Sequence, residues 1–155
     1  MNNTIQNLEI GNQMTSPTTI HHINFIVEDL EASVERYQRL LRVGPFEFAD
    51  LPDRSVSTAR VLLGETWLVL VSPTHKDSVP GRYLKQRGEG FFLLSFGINN
   101  LDQALQNFEN HGLLKPNSTI RQGIMDWRVI DLQTEDLLGA NFHLTEVNTA
   151  IKESR

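Results

Sequence analysis

The chain has no cysteine. That absence excludes a disulfide framework, a zinc–thiolate site and a cysteine nucleophile. Basic charge is short: 14 Lys and Arg stand against 19 Asp and Glu, for a formal net charge of −5 and a pI near 5.5. A phosphate backbone wants a basic face, so no nucleic acid is expected as a partner. No apolar run approaches the length of a bilayer span, so no membrane partner is expected either. The first residues lack the basic-then-apolar order of a secretion signal, and a cytoplasmic protein is the expectation. Residues 1–17 are rich in Asn, Gln, Thr and Ser without periodicity and read as a flexible leader, and 147–155 as a polar tail. With 39% hydrophobic and 21% charged residues, the stretch between them, 18–146, suffices for one packed domain.

What the chain does have is a repeat. "HHINFIVEDLEASVERYQRLL", from His21, and "FLLSFGINNLDQALQNFENHGL", from Phe92, share one plan of apolar strand, acidic or amide turn, and amphipathic helix. Phe25 falls on Phe96, Leu30 on Leu101 and Tyr37 on Phe108, but His22 falls on Leu93. Strands are expected over 20–27 and 91–98. Asp29 and Asn100 are placed to cap the helices that follow, and Gly112 to stop the second. Further strands are expected at 57–64 and 66–72 in the first copy and at 126–133 and 140–146 in the second, with another at 46–51. The modules therefore cover 18–73 and 91–146, joined by a linker, 74–90, with a short helix around 80–87. The fold class is α+β.

Strand alternation sorts the side chains. Ile23, Phe25, Val27, Leu68, Leu70, Phe92, Leu94, Phe96, Phe142 and Leu144 belong to faces expected to pack under the helices. The opposite faces carry His22, Asn24, Trp67, Val69, Val71, Leu93, Ser95, Asn141, His143 and Thr145. A curved sheet lined by large apolar groups and a few polar ones suits a small-molecule site.

The stretches "HHINFIVEDLEASVERYQRLL", "DSVPGRYLKQRGEGFFLLSF" and "GANFHLTE", together spanning most of residues 20–146, resemble the vicinal oxygen chelate superfamily of glyoxalase I, bleomycin-resistance proteins and extradiol dioxygenases, and within it the methylmalonyl-CoA epimerase-like branch. The resemblance implies two βαβββ modules whose paired, curved sheets close around a cavity. It also implies a metal site with one ligand from each of four strands. Carried over by position, those ligands fall on His22, Val69, Leu93 and His143; two are hydrocarbon and one is changed from Glu to His. The family's catalytic carboxylate has no counterpart in "SVSTARVLL".

Two imidazoles without a carboxylate make a poor site for zinc or its relatives, which want three or four donors. No cofactor is therefore expected; a divalent metal, if held, would take His22 and His143. These two histidines are the candidate catalytic pair, as base and acid for proton transfer next to a carbonyl, because imidazole titrates near neutral pH. Asn24, Arg60, Trp67, Val69, Leu93, Trp127, Arg128 and Asn141 are candidate substrate-binding residues, the arginines because a guanidinium fits a carboxylate or phosphate. His21 reads as structural and His75 and His111 as surface residues. Glu89 and Asp126 are placed near a cavity mouth. Lys76, Arg82, Lys85 and Arg87 could meet the phosphates of an acyl-CoA, or form an ordinary charged helix face. The expected function is an isomerase- or lyase-type enzyme; the alternative is a non-catalytic protein that binds or sequesters a small molecule. A homodimer is expected, since strand edges would otherwise be exposed.

Overall fold

The structure, a computed structural model, describes residues 16–110, 118–133 and 141–147. Nearly all of the expected leader, the tail beyond Val147, His111 and the Gly112 helix stop lie outside these residues. In chain order the elements are β1 (Thr19–Ile26), α1 (Leu30–Leu41), β2 (Glu47–Leu51), β3 (Val56–Leu63), β4 (Thr66–Pro73), α2 (Val79–Arg87), β5 (Gly90–Ile98), α3 (Leu101–Asn110), β6 (Arg121–Gln122), β7 (Arg128–Asp131) and β8 (Phe142–Glu146).

The helices begin where the side chains can cap them. Asp29 accepts from the Ala32 amide at 2.9 Å, Asn100 from Gln103 at 2.9 Å, and Ser78 from Gly81 at 3.1 Å. Each of these carboxylate, amide or hydroxyl oxygens satisfies a backbone N–H that the first helical turn leaves free.

The strands form one continuous sheet in the order β2-β3-β4-β1-β5-β8-β7-β6. Each half contributes four strands with the same internal plan. β1 runs parallel to β4, β5 runs parallel to β8, and the other pairings are antiparallel. The halves meet edge to edge at β1 and β5, so the pseudo-twofold axis runs between those two strands, and the sheet curls into a half-barrel.

The convex face is covered by the helices. Under α1, Val27, Val34, Phe46, Ala59, Val61, Leu68 and Leu70 form one buried cluster. Under α3, Ile98, Leu101, Ala104, Ile130, Leu132 and Leu144 form another. Each fully buried side chain of this size stabilises the fold by about 1.5–3 kcal/mol. A third cluster, Val56, Val69, Val71 and Ile124, lies on the concave face, away from α1 and α3.

Candidate active site

The sheet register builds the site. Residues paired across neighbouring strands share a face, so one row crosses the concave side as Trp67, His22, Ser95, His143 and Asp131, each on the strand next to the last. The row beside it reads Arg60, Val69, Asn24 and Leu93. Above these rows lies a cavity of about 560 Å³. Ile124 and Trp127 close one side of it, and Val79, Pro80 and Tyr83 of α2 stand at another.

His22, Asn24, Val69, Leu93, Trp127, Asn141 and His143 all line this cavity. The His22 and His143 rings come within 6.4 Å of each other, their planes at 77°. They share one corner of the cavity rather than standing on opposite sides of a ligand, because only β5 separates their strands. His22 is stacked on Trp127 at 5.0 Å, and its Nδ1 lies 2.9 Å from Nδ1 of His21.

Three of the sequence candidates are corrected. Arg60 and Trp67 face the concave side but do not line the cavity. The Arg60 guanidinium lies 4.1 Å over the Trp67 ring and 4.9 Å from that of Trp127, and pairs with Glu47 at 2.9 Å, so these groups fill the floor by packing on one another. Arg128 points the other way. Its neighbour Val129 pairs with Thr145 on the concave side, and alternation carries Arg128 to the convex side, onto Asp102 and Glu146 at 2.9 Å each. Glu89 and Asp126 do not reach the cavity; Glu89 accepts from the Glu28 amide, and Asp126 from Gln122. His21 is more than structural packing: a register shift between Ile20 and His22 brings its ring onto His22 and Trp127.

Sequence reasoning missed Asp131, Arg121 and Arg54. Asp131 bonds to Nε2 of His143 and to Arg121 at 3.1 Å, and Arg121 also lies 3.1 Å from Nε2 of His143. Asp131 was legible, since it follows Val129 by two in a strand. Arg121 sits in a two-residue strand and Arg54 at the end of a single 3-10 turn, Pro52–Arg54, where no periodicity marks a face.

Burial governs the charges. It lowers His143 from 6.5 to about 4, against the hydrogen bond and charge of Asp131 and with the help of Arg121 and Arg54. His22 is held well below its ordinary value, by burial first and then by His143, His21 and Arg121. Burial, then Arg60, lowers His21 to about 4. Burial alone would raise Asp131, but His143 and Arg121 hold it below the carboxylate range. Asp131 is thus ionised and the imidazoles neutral at pH 7. We assign the Nε2 proton of His143 to the bond with Asp131, which leaves Nδ1 with the lone pair.

Among the described residues, no three His, Cys, Asp or Glu are grouped to hold a metal ion. The donors do not fit a divalent cation. Val69 and Leu93 offer only hydrocarbon, and Nε2 of His143 is taken up by Asp131 and the positive Arg121.

The family model of the glyoxalase/bleomycin resistance protein/dioxygenase superfamily matches residues 21–130. The human mitochondrial methylmalonyl-CoA epimerase is 25% identical over 128 residues, which are 82% of this chain and 73% of that protein. The methylmalonyl-CoA epimerase of Mycobacterium tuberculosis superposes with a TM-score of 0.80 at 21% identity, over 89% of this chain and 93% of that one. A methylmalonyl-CoA epimerase solved with methylmalonyl-CoA and NH4+ is 27% identical, with a TM-score of 0.80 over 86% of this chain and 97% of that one. This last structure overturns the expectation of no cofactor, because a cation accompanies the substrate in that relative.

Proposed function

This chain belongs to the glyoxalase/bleomycin resistance protein/dioxygenase superfamily, and from that membership and its cavity we propose an isomerase that moves a proton on the carbon next to a carbonyl. The observation that carries the reading is the pair of neutral imidazoles, 6.4 Å apart in one corner of a 560 Å³ cavity, one of them backed by an ionised carboxylate. An acyl-CoA is the ligand class that the epimerase relatives support. The exposed Lys76, Arg82, Lys85 and Arg87, on and just before the helix at the cavity rim, are available to its phosphates.

In this reading Nδ1 of His143 accepts the proton from the substrate carbon, and the C–H electron pair moves into the carbonyl as an enolate. Asp131 stabilises the imidazolium that forms, which offsets the weak basicity that burial gives His143. His22, neutral and at the same corner, supports the reacting group, and after the enolate turns its other face to His143 the imidazolium returns a proton to that face, which inverts the carbon and restores the neutral imidazole. Val69, Leu93 and Ile124 keep water from the enolate.

The test is solvent exchange. Methylmalonyl-CoA and propionyl-CoA are incubated with the protein in D2O, with and without ammonium and divalent cations, and deuterium at the carbon next to the thioester is read by mass spectrometry. Incorporation above the protein-free rate supports the enzyme. Tight binding without incorporation under any of these conditions supports a sequestration protein, which the apolar lining would equally serve.

A further inference from the structure

The cavity holds two guanidinium groups that the proposed proton transfer does not use. Arg121 comes from the second half of the chain and Arg54 from the first, and both line the same space. Arg121 is held by Asp131 through a single nitrogen, which also lies 3.1 Å from Nε2 of His143, while its Nε is buried with no partner among the described residues. A buried donor left unpaired is destabilising unless something accepts from it. Arg54 reaches in from the rim. The residue stays exposed, yet its guanidinium loses enough water to be lowered from its ordinary value, by burial first and then by repulsion from Arg121, with Asp131 partly offsetting both. Arg54 also bears on His143, so its charge is felt at the corner where the imidazoles meet. One carboxylate, Asp131, therefore stands among two guanidiniums. The remaining charged lining residue, Asp53, is exposed at the rim and makes no ion pair among the described residues.

We propose that Arg54 and Arg121 form a carboxylate subsite, and that the ligand of this cavity is a small organic acid with an apolar body. A planar guanidinium presents donors in the geometry a carboxylate accepts. The unpartnered Nε of Arg121 supplies one donor and Arg54, at the rim, another. Val56, Val69, Val71, Leu93 and Ile124 receive the hydrocarbon part. The side chain of Asn24, whose Oδ1 is buried without a partner among the described residues, is left for a second polar group. Because Arg121 lies 3.1 Å from the His143 ring, the carboxylate sits within a few bonds of the carbon that exchanges its proton. In this form the inference rests on the proposed proton transfer for its place in the reaction. The anion subsite itself is read by binding alone.

The experiment is a binding titration by amide chemical-shift changes with 15N-labelled protein. The probes are four- to eight-carbon mono- and dicarboxylic acids, each compared with its neutral amide. The expected result is at least one acid that binds tenfold or more tightly than its amide. That preference falls severalfold in Arg54→Gln and disappears in Arg121→Gln. Arg54 is at the rim, so its substitution reads the subsite even if Arg121→Gln unfolds. Equal binding of acids and amides, a preference that survives Arg54→Gln and a folded Arg121→Gln, or no binding by any acid overturns the proposal. If acids bind as expected while no deuterium enters any substrate, the proton-transfer reading fails and the subsite stands.

Discussion

His22 and His143 differ in what holds them. His143 has an ionised carboxylate on Nε2, whereas His22 has only another imidazole and a Trp ring. His143→Ala is therefore expected to lower solvent exchange by on the order of 100-fold or more, the usual contribution of a positioned base. His22→Ala is expected to cost less, and the double variant less than the product of the two; equal and multiplicative losses would show that the rings do not act as a unit. The same histidines set a pH dependence of stability. His143 and His21 titrate near 4 in the fold against 6.5 when free, so the unfolded chain binds protons that the fold does not. Stability is then complete above about pH 6.5 and is lost as pH falls toward 4, by on the order of 3 kcal/mol for His143. Thermal melts between pH 7 and 4.5 should show a falling Tm, with a shallower slope in His143→Gln. A flat profile would contradict the buried neutral imidazoles.

At the scale of the element, α2 starts in close contact with the backbone just before it. A methyl group on Gly81 would lie 2.3 Å from the His75 carbonyl oxygen and 2.6 Å from that of Lys76, both backbone atoms that cannot swing aside. Gly81→Ala must shift the first turn of the helix, which carries Val79 and Pro80 at the cavity. Overpacking of this kind costs about 1–3 kcal/mol, and ligand affinity should fall about tenfold, or ~1.4 kcal/mol. Asp29→Ala is the matched comparison. It removes the cap of α1 for about 1 kcal/mol on the convex side and should leave affinity unchanged. Calorimetric binding together with thermal unfolding of both variants would separate the two effects.

At the scale of the whole molecule, the curled sheet ends in two strands, β2 and β6, each with a neighbour on one side only among the described residues. Phe48 on β2 is 57% exposed. An unpaired edge with an exposed aromatic is a template for association, and the chain is expected to form a homodimer. Light scattering at micromolar concentration should give twice 17.6 kDa; a clean monomer would show that the edge is tolerated. No helix among the described residues is long and apolar enough to cross a membrane.

The sequence by itself determined the two modules, the helix caps at Asp29 and Asn100, and most of the strand faces that turn toward the helices, because caps and alternation act over a few residues and leave their period in the chain; Phe92 lines the cavity instead, where the pairing of β5 with β1 shifts register between Asn24 and Phe25. It also placed His22, Asn24, Val69, Leu93 and His143 on one concave surface. It could not tell a side chain that lines the cavity from one that fills its floor, as Arg60 and Trp67 do, because that depends on what stacks above them. Nor could it find Arg54 and Arg121, which lie in a turn and a two-residue strand and reach the site only when the sheet curls. The charge states belong to the same class. His143 is neutral and Asp131 ionised because burial, a carboxylate and two guanidiniums from different halves of the chain meet at one corner, and only the tertiary fold brings them there.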